Sequence, residues 1–329
     1  MTVVNNQLSE PEHIASGVPQ GSVLGPLLFL LYIEDLITKL NITCKNTKVF
    51  AFADDLKLLS NDHADLQTAL DLIGFWVERW QLLIQPAKSE HINFSRGQDN
   101  YMPNCKFIIN GNTINTVQKV KDLGLYISND LKWNSYIEQT KYKADRLANI
   151  LLRTFKTHDL KIYKTALKTY IRPIVEYNSS IWSPYHLTQI RLIESVQKAY
   201  TKRLCKKLNI TFSSYNDRLS IMEIDSLEYR RLKCDLILLY KILNKTIHVD
   251  TNYIFFKSHI QGKYNLRRNS LNLQKPPLSK TAIRTNFFCN RVIKTWNKLP
   301  DSLVTSPTLS IFKARLNKTD LKTYYKFLF

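Results

Sequence analysis

A chain of 329 residues with 44% hydrophobic side chains can bury a core and has room for two domains. Its formal net charge is +20, and residues 1–95 hold only six Lys/Arg against eleven Asp/Glu, so the basic excess lies entirely beyond them. A basic region rich in Tyr and Phe points to a polyanionic partner, most simply nucleic acid, against the plainer reading of a solvated lysine-rich surface. The five cysteines (Cys44, Cys105, Cys205, Cys234 and Cys289) are scattered, with no C-x₂-C pair, which argues against a zinc site and a disulfide scaffold. They fit a reducing compartment, nucleus or cytoplasm, and not secretion. The longest apolar run, Val23–Ile33, falls well short of the ~20 residues that span a bilayer, and Glu34 and Asp35 follow it, so no membrane anchor is expected.

In chain order, Val3–Asn5 and Glu12–Ile14 suggest a small hairpin. Gly17, Pro19, Gly21, Gly25 and Pro26 then mark a specially shaped loop, and Pro26–Leu40 reads as a helix with proline in its first turn. Val49–Ala53 and Leu56–Leu59 are apolar strands meeting at Asp54-Asp55. Three- and four-residue steps of apolar side chains predict an amphipathic helix over Ala64–Leu83. His91–Phe94 reads as a strand, and Lys106–Ile109 is expected to pair with Leu123–Ser128. Beyond Trp133 the pattern turns helical: Tyr136–Phe155, Leu160–Tyr170, Thr188–Leu208 and Leu227–Leu243. Residues 257–286 read as basic and loop-rich, with short helices at Phe287–Leu299 and Leu309–Leu316.

The chemistry-bearing segments are Gly17-Val18-Pro19-Gln20-Gly21-Ser22 and, about 30 residues on, Phe52-Ala53-Asp54-Asp55. Two adjacent carboxylates at a tip between buried strands repel each other unless a cation or proton neutralises one. Phosphoryl transfer uses such a tip, because two Mg²⁺ ions about 3.5–4 Å apart need rigidly placed hard ligands. By itself an Asp-Asp pair is as readily a turn or helix-cap ornament. Glycine in the preceding loop lets the backbone approach a base pair or phosphate, and Gln20 offers a donor and an acceptor.

Together these segments resemble motifs B and C of reverse transcriptases. GVPQGSVLGPLLFLLYIEDL followed by VFAFADDLKLL is similar to the non-LTR retrotransposon (LINE) enzymes, especially the jockey-like group. Trp80–Phe94 resembles motif D, and Lys88 matches the lysine that the family places near the incoming triphosphate, although Gln85 stands where relatives usually have Asn. The likeness continues through Lys121–Leu125, Leu131–Trp133, Arg172–Tyr177, Ile181–Pro184, Ile193–Gln197, Leu227–Arg231 and Arg291–Pro300, and so covers nearly the whole chain.

The resemblance implies an α+β fold: an incomplete polymerase palm over residues 1–130, a mainly helical thumb over 131–250 and a basic C-terminal extension over 251–329. It implies Asp54 and Asp55 as ligands of Mg²⁺, two ions in the intact enzyme, with Lys88 facing the triphosphate. Gly17, Pro19, Gln20, Gly21, Phe52 and Ala53 would shape the template and nucleotide pocket, around an RNA template, a DNA primer and dNTPs. The run Lys202, Arg203, Lys206 and Lys207 is either a solvated face or one that tracks a duplex backbone. Trp133, Trp182 and Trp296 are expected as core anchors. Arg230 and Arg231 are expected to cover a helix surface. A third carboxylate, on motif A, is expected to be missing, since Glu10 and Glu12 sit in a polar loop; this chain alone is therefore expected to be inactive. The alternative is a host-adopted, non-catalytic RNA- or DNA-binding remnant.

Overall fold

A computed structural model describes residues 3–10, 21–94, 106–247, 249, 270–274, 281–325 and 327–329. The chain forms two compact units, Met1–Val120 and Lys121–Phe329, the first mixed α and β and the second mainly helical. The fold class is thus α+β, with small sheets among many helices.

In the first unit, β1 (Val3–Val4) pairs with β2 (Gln7–Leu8) across Asn5-Asn6; Glu12–Ile14, the second strand of the hairpin expected here, lies outside the described residues. Both turn residues have positive φ, which Asn tolerates. Helix α1 (Gly25–Thr43) begins where the Ser22 hydroxyl accepts the Gly25 N–H at 2.9 Å, with Pro26 in its first turn. Strands β3 (Thr47–Phe52) and β4 (Asp55–Ser60) follow, then α2 (His63–Arg79). Asp62 caps α2 by accepting the Ala64 and Asp65 N–H groups. Asp65 in turn accepts the Asn46 N–H at 3.0 Å and the Thr47 hydroxyl at 2.7 Å, tying the start of β3 to the first turn of α2.

Helix α2 stops four residues earlier than its apolar period suggests. Gln81 adopts φ +55°, and the Leu82 and Gln81 N–H groups return to the Val77 and Glu78 carbonyls. That is a Schellman ending, with Gln81 where glycine is usual. The core of this unit joins Leu36 and Leu40 of α1 to Ala69, Ile73, Trp76 and Val77 of α2, with Phe107, Ile109 and Ile114. Trp76 donates its indole N–H to Asp35 at 2.8 Å.

The expected strand pairing of Lys106–Ile109 with Leu123–Ser128 is replaced by two local hairpins. Ile108–Ile109 (β6) pairs with Asn112–Thr113 (β7) through Asn110-Gly111, both at positive φ, the sign pattern of a type I′ turn. Lys119–Asp122 (β9) pairs with Leu125–Ser128 (β10) through Leu123-Gly124, also at positive φ. Short β5 (Glu90–His91) runs parallel to β8 (Asn115–Thr116). Local closure wins because a two-residue Asn-Gly loop costs far less entropy than closing the longer one.

The second unit is held by α3 (Asn134–Thr154), α4 (Leu160–Ala166), a π turn at Leu167–Ile171, α5 (Arg172–Glu176), α6 (Ser179–Trp182), α7 (Leu187–Lys207), α8 (Tyr215–Ile221) and α9 (Leu227–Leu243). Helices Phe288–Trp296 and Leu309–Lys318 pack on α9. Tyr177 donates its hydroxyl proton to the Leu123 carbonyl at 2.8 Å and packs over Gly124, where a Cβ would lie 3.4 Å from the ring. Trp182 and Trp296 are fully buried, with indole N–H groups on the Tyr177 and Leu271 carbonyls. Trp133 is half-buried against Tyr136.

Arg230 and Arg231 do not cover a surface. Arg230 grips Glu176 through two nitrogens, and Arg231 is buried among Glu194, Glu228 and Asp235. Asp235, also buried, receives Arg291 Nε at 2.8 Å and Nη2 at 3.0 Å; Nη2 also reaches the Ser180 carbonyl. Burial pushes the Asp235 carboxyl above its usual range, and Arg291 opposes that shift. Arg291→Met, which strands this charge, is expected to cost about 3–5 kcal/mol in denaturant unfolding, and Asp235→Leu added to it should restore most of that loss. A double variant no more stable than the single one would show that the pair is not what holds Phe288–Trp296 against α9.

Candidate active site

Side chains of β3 and β4 point alternately to the two faces of the hairpin, and their register pairs Val49 with Leu58, Ala51 with Leu56 and Phe52 with Asp55. Val49, Leu56 and Leu58 pack toward α1 and α2, and Thr47 is buried beside Asp65. The opposite face carries Lys48, Phe50, Phe52, Asp55, Lys57 and Leu59. Phe50 and Phe52 are 53% and 62% exposed, so the tip does not lie between buried strands as the sequence suggested. Among the described residues this sheet has two strands and one open face.

The bend also comes one residue earlier than expected. Ala53 and Asp54 form the two-residue loop, and Asp55 is the first residue of β4, opposite Phe52. Ala53 has φ +50° while Asp54 does not share the positive sign, the pattern of a type II′ turn. A Cβ in that left-handed region costs about 1–2 kcal/mol. The hairpin holds it because six cross-strand pairs fix the strands on either side.

Asp54 and Asp55 are exposed, and neither has an ion pair or hydrogen bond with a described residue. Their oxygens are hard donors of the kind that divalent Mg²⁺ or Ca²⁺ prefers, and neither carboxylate is already committed to a protein cation. They fit one side of a divalent-ion site. Among the described residues no group of three or more His, Cys, Asp or Glu side chains could close around an ion.

The remaining candidates are distributed as follows. Gly21 has φ +81° with nothing near a notional Cβ, so its backbone conformation and not its space calls for glycine. Gly17, Pro19 and Gln20 lie outside the described residues. Lys88 ends a single 3₁₀ turn, Pro86–Lys88, and its exposed ammonium has no described partner. In α7, Lys202 and Lys206 are exposed, and Arg203 donates to the Ala199 carbonyl and to Asn149. Lys207 differs from its neighbours: its ammonium donates to the Leu152 and Phe155 carbonyls and so closes the C-terminus of α3. It serves the fold. No sequence signal separated it from the rest of the run, because the carbonyls it serves lie 52 and 55 residues away.

Ala53→Gly is expected to raise the unfolding midpoint of the first unit, by up to about 1 kcal/mol of stability, by relieving the positive φ. A lowered midpoint in thermal unfolding would contradict the turn geometry described here.

Residues 1–127 match the family model described as reverse transcriptase (RNA-dependent DNA polymerase). The RNA-directed DNA polymerase from mobile element jockey of Drosophila melanogaster is 26% identical over 212 residues, covering 58% of this chain and 22% of that polymerase. An uncharacterized protein of Caenorhabditis elegans is 27% identical over 130 residues, 40% of this chain and 66% of its own length. The Pol polyprotein from type-1 retrotransposable element R2 of Popillia japonica is 28% identical over 189 residues, 53% of this chain and 30% of the polyprotein. No solved structure matches. The chain therefore spans about two thirds of the nematode protein and about a fifth of the jockey polymerase. The matched family segment is the one that holds the Asp54–Asp55 hairpin, and the jockey alignment is longer than that segment: residues 1–127 match the reverse transcriptase family, and the chain is similar beyond them to the polymerases of jockey-like, non-LTR retrotransposons.

Proposed function

We propose that this chain carries the metal-binding hairpin and the helical, duplex-holding part of an RNA-directed DNA polymerase. The observation that carries the reading is a pair of unpartnered carboxylates at a two-residue turn braced by α1 and α2. Residues 1–130 would be part of a palm, 131–250 a helical thumb and 251–329 a basic extension.

Asp54 is the principal ligand of a divalent cation, Mg²⁺, and Asp55, one position into β4, supports it from the outward face. Two such ions in the complete enzyme would supply charge stabilisation to nucleotidyl transfer. The side chain of Ala53, a single methyl at the apex, leaves space for a primer terminus. Phe52 stands opposite Asp55 on the open face, where it can line the nucleotide pocket with Gly17, Pro19, Gln20 and Gly21. Lys88, unpaired at the end of its 3₁₀ turn, would neutralise a departing pyrophosphate. The template would be RNA, the primer DNA and the substrates dNTPs, with Lys202, Arg203 and Lys206 tracking the duplex backbone without sequence preference.

Two carboxylates hold a divalent ion weakly, and template-directed dNTP incorporation by the 329-residue chain with Mg²⁺ is expected to be undetectable. Incorporation that disappears in Asp54→Asn would overturn the inactivity and leave the polymerase reading standing. The basic excess beyond residue 95 favours a second reading, in which the chain works as an RNA- or DNA-binding protein in nucleus or cytoplasm. Both readings require salt-sensitive binding of an RNA–DNA hybrid by the full chain. A hybrid that fails to bind at low ionic strength in fluorescence anisotropy would remove both. No helix among the described residues is long and apolar enough to cross a membrane.

A further inference from the structure

Helix α4, the π turn and α5 form one continuous helical segment from Leu160 to Glu176. Lys164, Lys168, Arg172 and Glu176 recur along it every four residues, and side chains four apart share a face of a helix. Both ends of this row are neutralised. Lys164 pairs with Glu223 at 2.5 Å, and Glu176 receives the guanidinium of Arg230 through two nitrogens, Nη2 at 2.7 Å. The next acid, Asp225, is taken by Lys233 at 3.1 Å.

The two cations in the middle have no such partner. Lys168 is exposed and makes no hydrogen bond or ion pair with a described residue. Arg172 is only 6% exposed, and its Nε and Nη2 are buried without an acceptor. Burial, Lys164, Arg172 and Arg230 push the Lys168 ammonium below its ordinary range against the pull of Glu223, and burial and Arg230 do the same to Arg172 against Glu176, Asp225 and Tyr215. Leaving a guanidinium buried and unpaired costs several kcal/mol, and three ion pairs around it have already consumed the nearby carboxylates. What Arg172 lacks is an acceptor of its own. The π turn lies directly at Lys168, and such single turns concentrate at functional positions.

We propose that Lys168 and Arg172 bind one phosphate group, supplied by the phosphodiester backbone of a nucleic acid. An exposed ammonium backed by a buried guanidinium whose charge is not paired presents the positive charge that a phosphate group neutralises. The source of the phosphate rests on the nucleic-acid reading above; the affinity of the site for a phosphate group does not.

The test uses the full chain, inorganic phosphate and a labelled RNA–DNA hybrid. Phosphate is expected to raise the thermal midpoint above that in chloride at matched ionic strength, in wild type and in the distant surface control Lys313→Gln, but not in Lys168→Gln. No excess stabilisation by phosphate in the wild type overturns the site, as does an equal rise in Lys168→Gln, which would mark an adventitious ion only. Lys168→Gln is also expected to weaken hybrid binding about tenfold more than Lys313→Gln does and to lower the slope of log K against log salt by about one. If phosphate stabilises the chain but Lys168→Gln binds the hybrid like wild type, the backbone is overturned as the source. If phosphate stabilises and no hybrid binds, the nucleic-acid reading fails and the phosphate site stands. Arg172→Met separates a ligand from a structural role: a more stable variant that keeps the phosphate effect excludes Arg172 from the site.

Discussion

Carboxylates that accept main-chain N–H groups organise both units. In the first, Asp62 and Asp65 take the amides at the start of α2 and at the start of β3, so one acidic turn sets where a helix begins and where a strand leaves. In the second, Glu194 is fully buried and takes the Leu227 and Glu228 N–H groups, the unpaired donors at the head of α9. A charge inside a core is tolerable there because the helix dipole and two amides compensate it. The Tyr215 hydroxyl adds a third bond to Glu194 at 2.5 Å, and burial together with that carboxylate pushes the Tyr215 phenol far above its ordinary range. Helices α7, α8 and α9 therefore meet at one side chain.

Against that background the idle groups stand out. Asp35 holds the Trp76 indole, Asp71 accepts from Gln67, Asp217 closes the capping box of α8 with Ser214, and Asp235 meets Arg291. The carboxylates of Asp54 and Asp55 hold nothing among the described residues. The same contrast separates Lys168 and Arg172 from Lys207, whose ammonium is spent on the end of α3. Folding energetics account for the engaged charges. The idle ones are where the proposed ligands would act.

The sequence disclosed these features unequally. Helices whose period persisted over many residues, such as α3, α7 and α9, were visible because their buried faces repeat at helical steps. The acidic hairpin is visible as two short apolar runs meeting at a pair of acids, but its bend opens one residue earlier than they suggest: an alanine at positive φ gives no warning that it opens the turn. The Asn110-Gly111 hairpin was legible in principle, since Asn-Gly is the strongest short hairpin signal, and longer-range pairing was preferred to it. The early end of α2 was not legible, because Gln81 occupies a position that glycine normally announces. Arg231 and Arg291 could not be read at all. Their acid partners lie three to fifty-six positions away by chemistry that one strand of letters does not index, and a helix-surface arginine and a buried one are spelled alike.

The open face of β3 and β4 bears on how the two aspartates work. Isolated two-stranded sheets are marginal in water, and this one is braced from a single side by α1 and α2. Its outward face exposes Phe50, Phe52 and Leu59, while Leu27 and Leu31 are exposed on α1. A two-ion site needs its ligands fixed within a few tenths of an ångström, because a cation that must gather mobile carboxylates loses in ordering what it gains in charge. In this hairpin the ligand chemistry is present, and the bracing is on one side only. What would limit the proposed site is therefore stiffness as much as the number of oxygens: covering Phe50 and Phe52 would sharpen the positions of Asp54 and Asp55 even before a third carboxylate joined them.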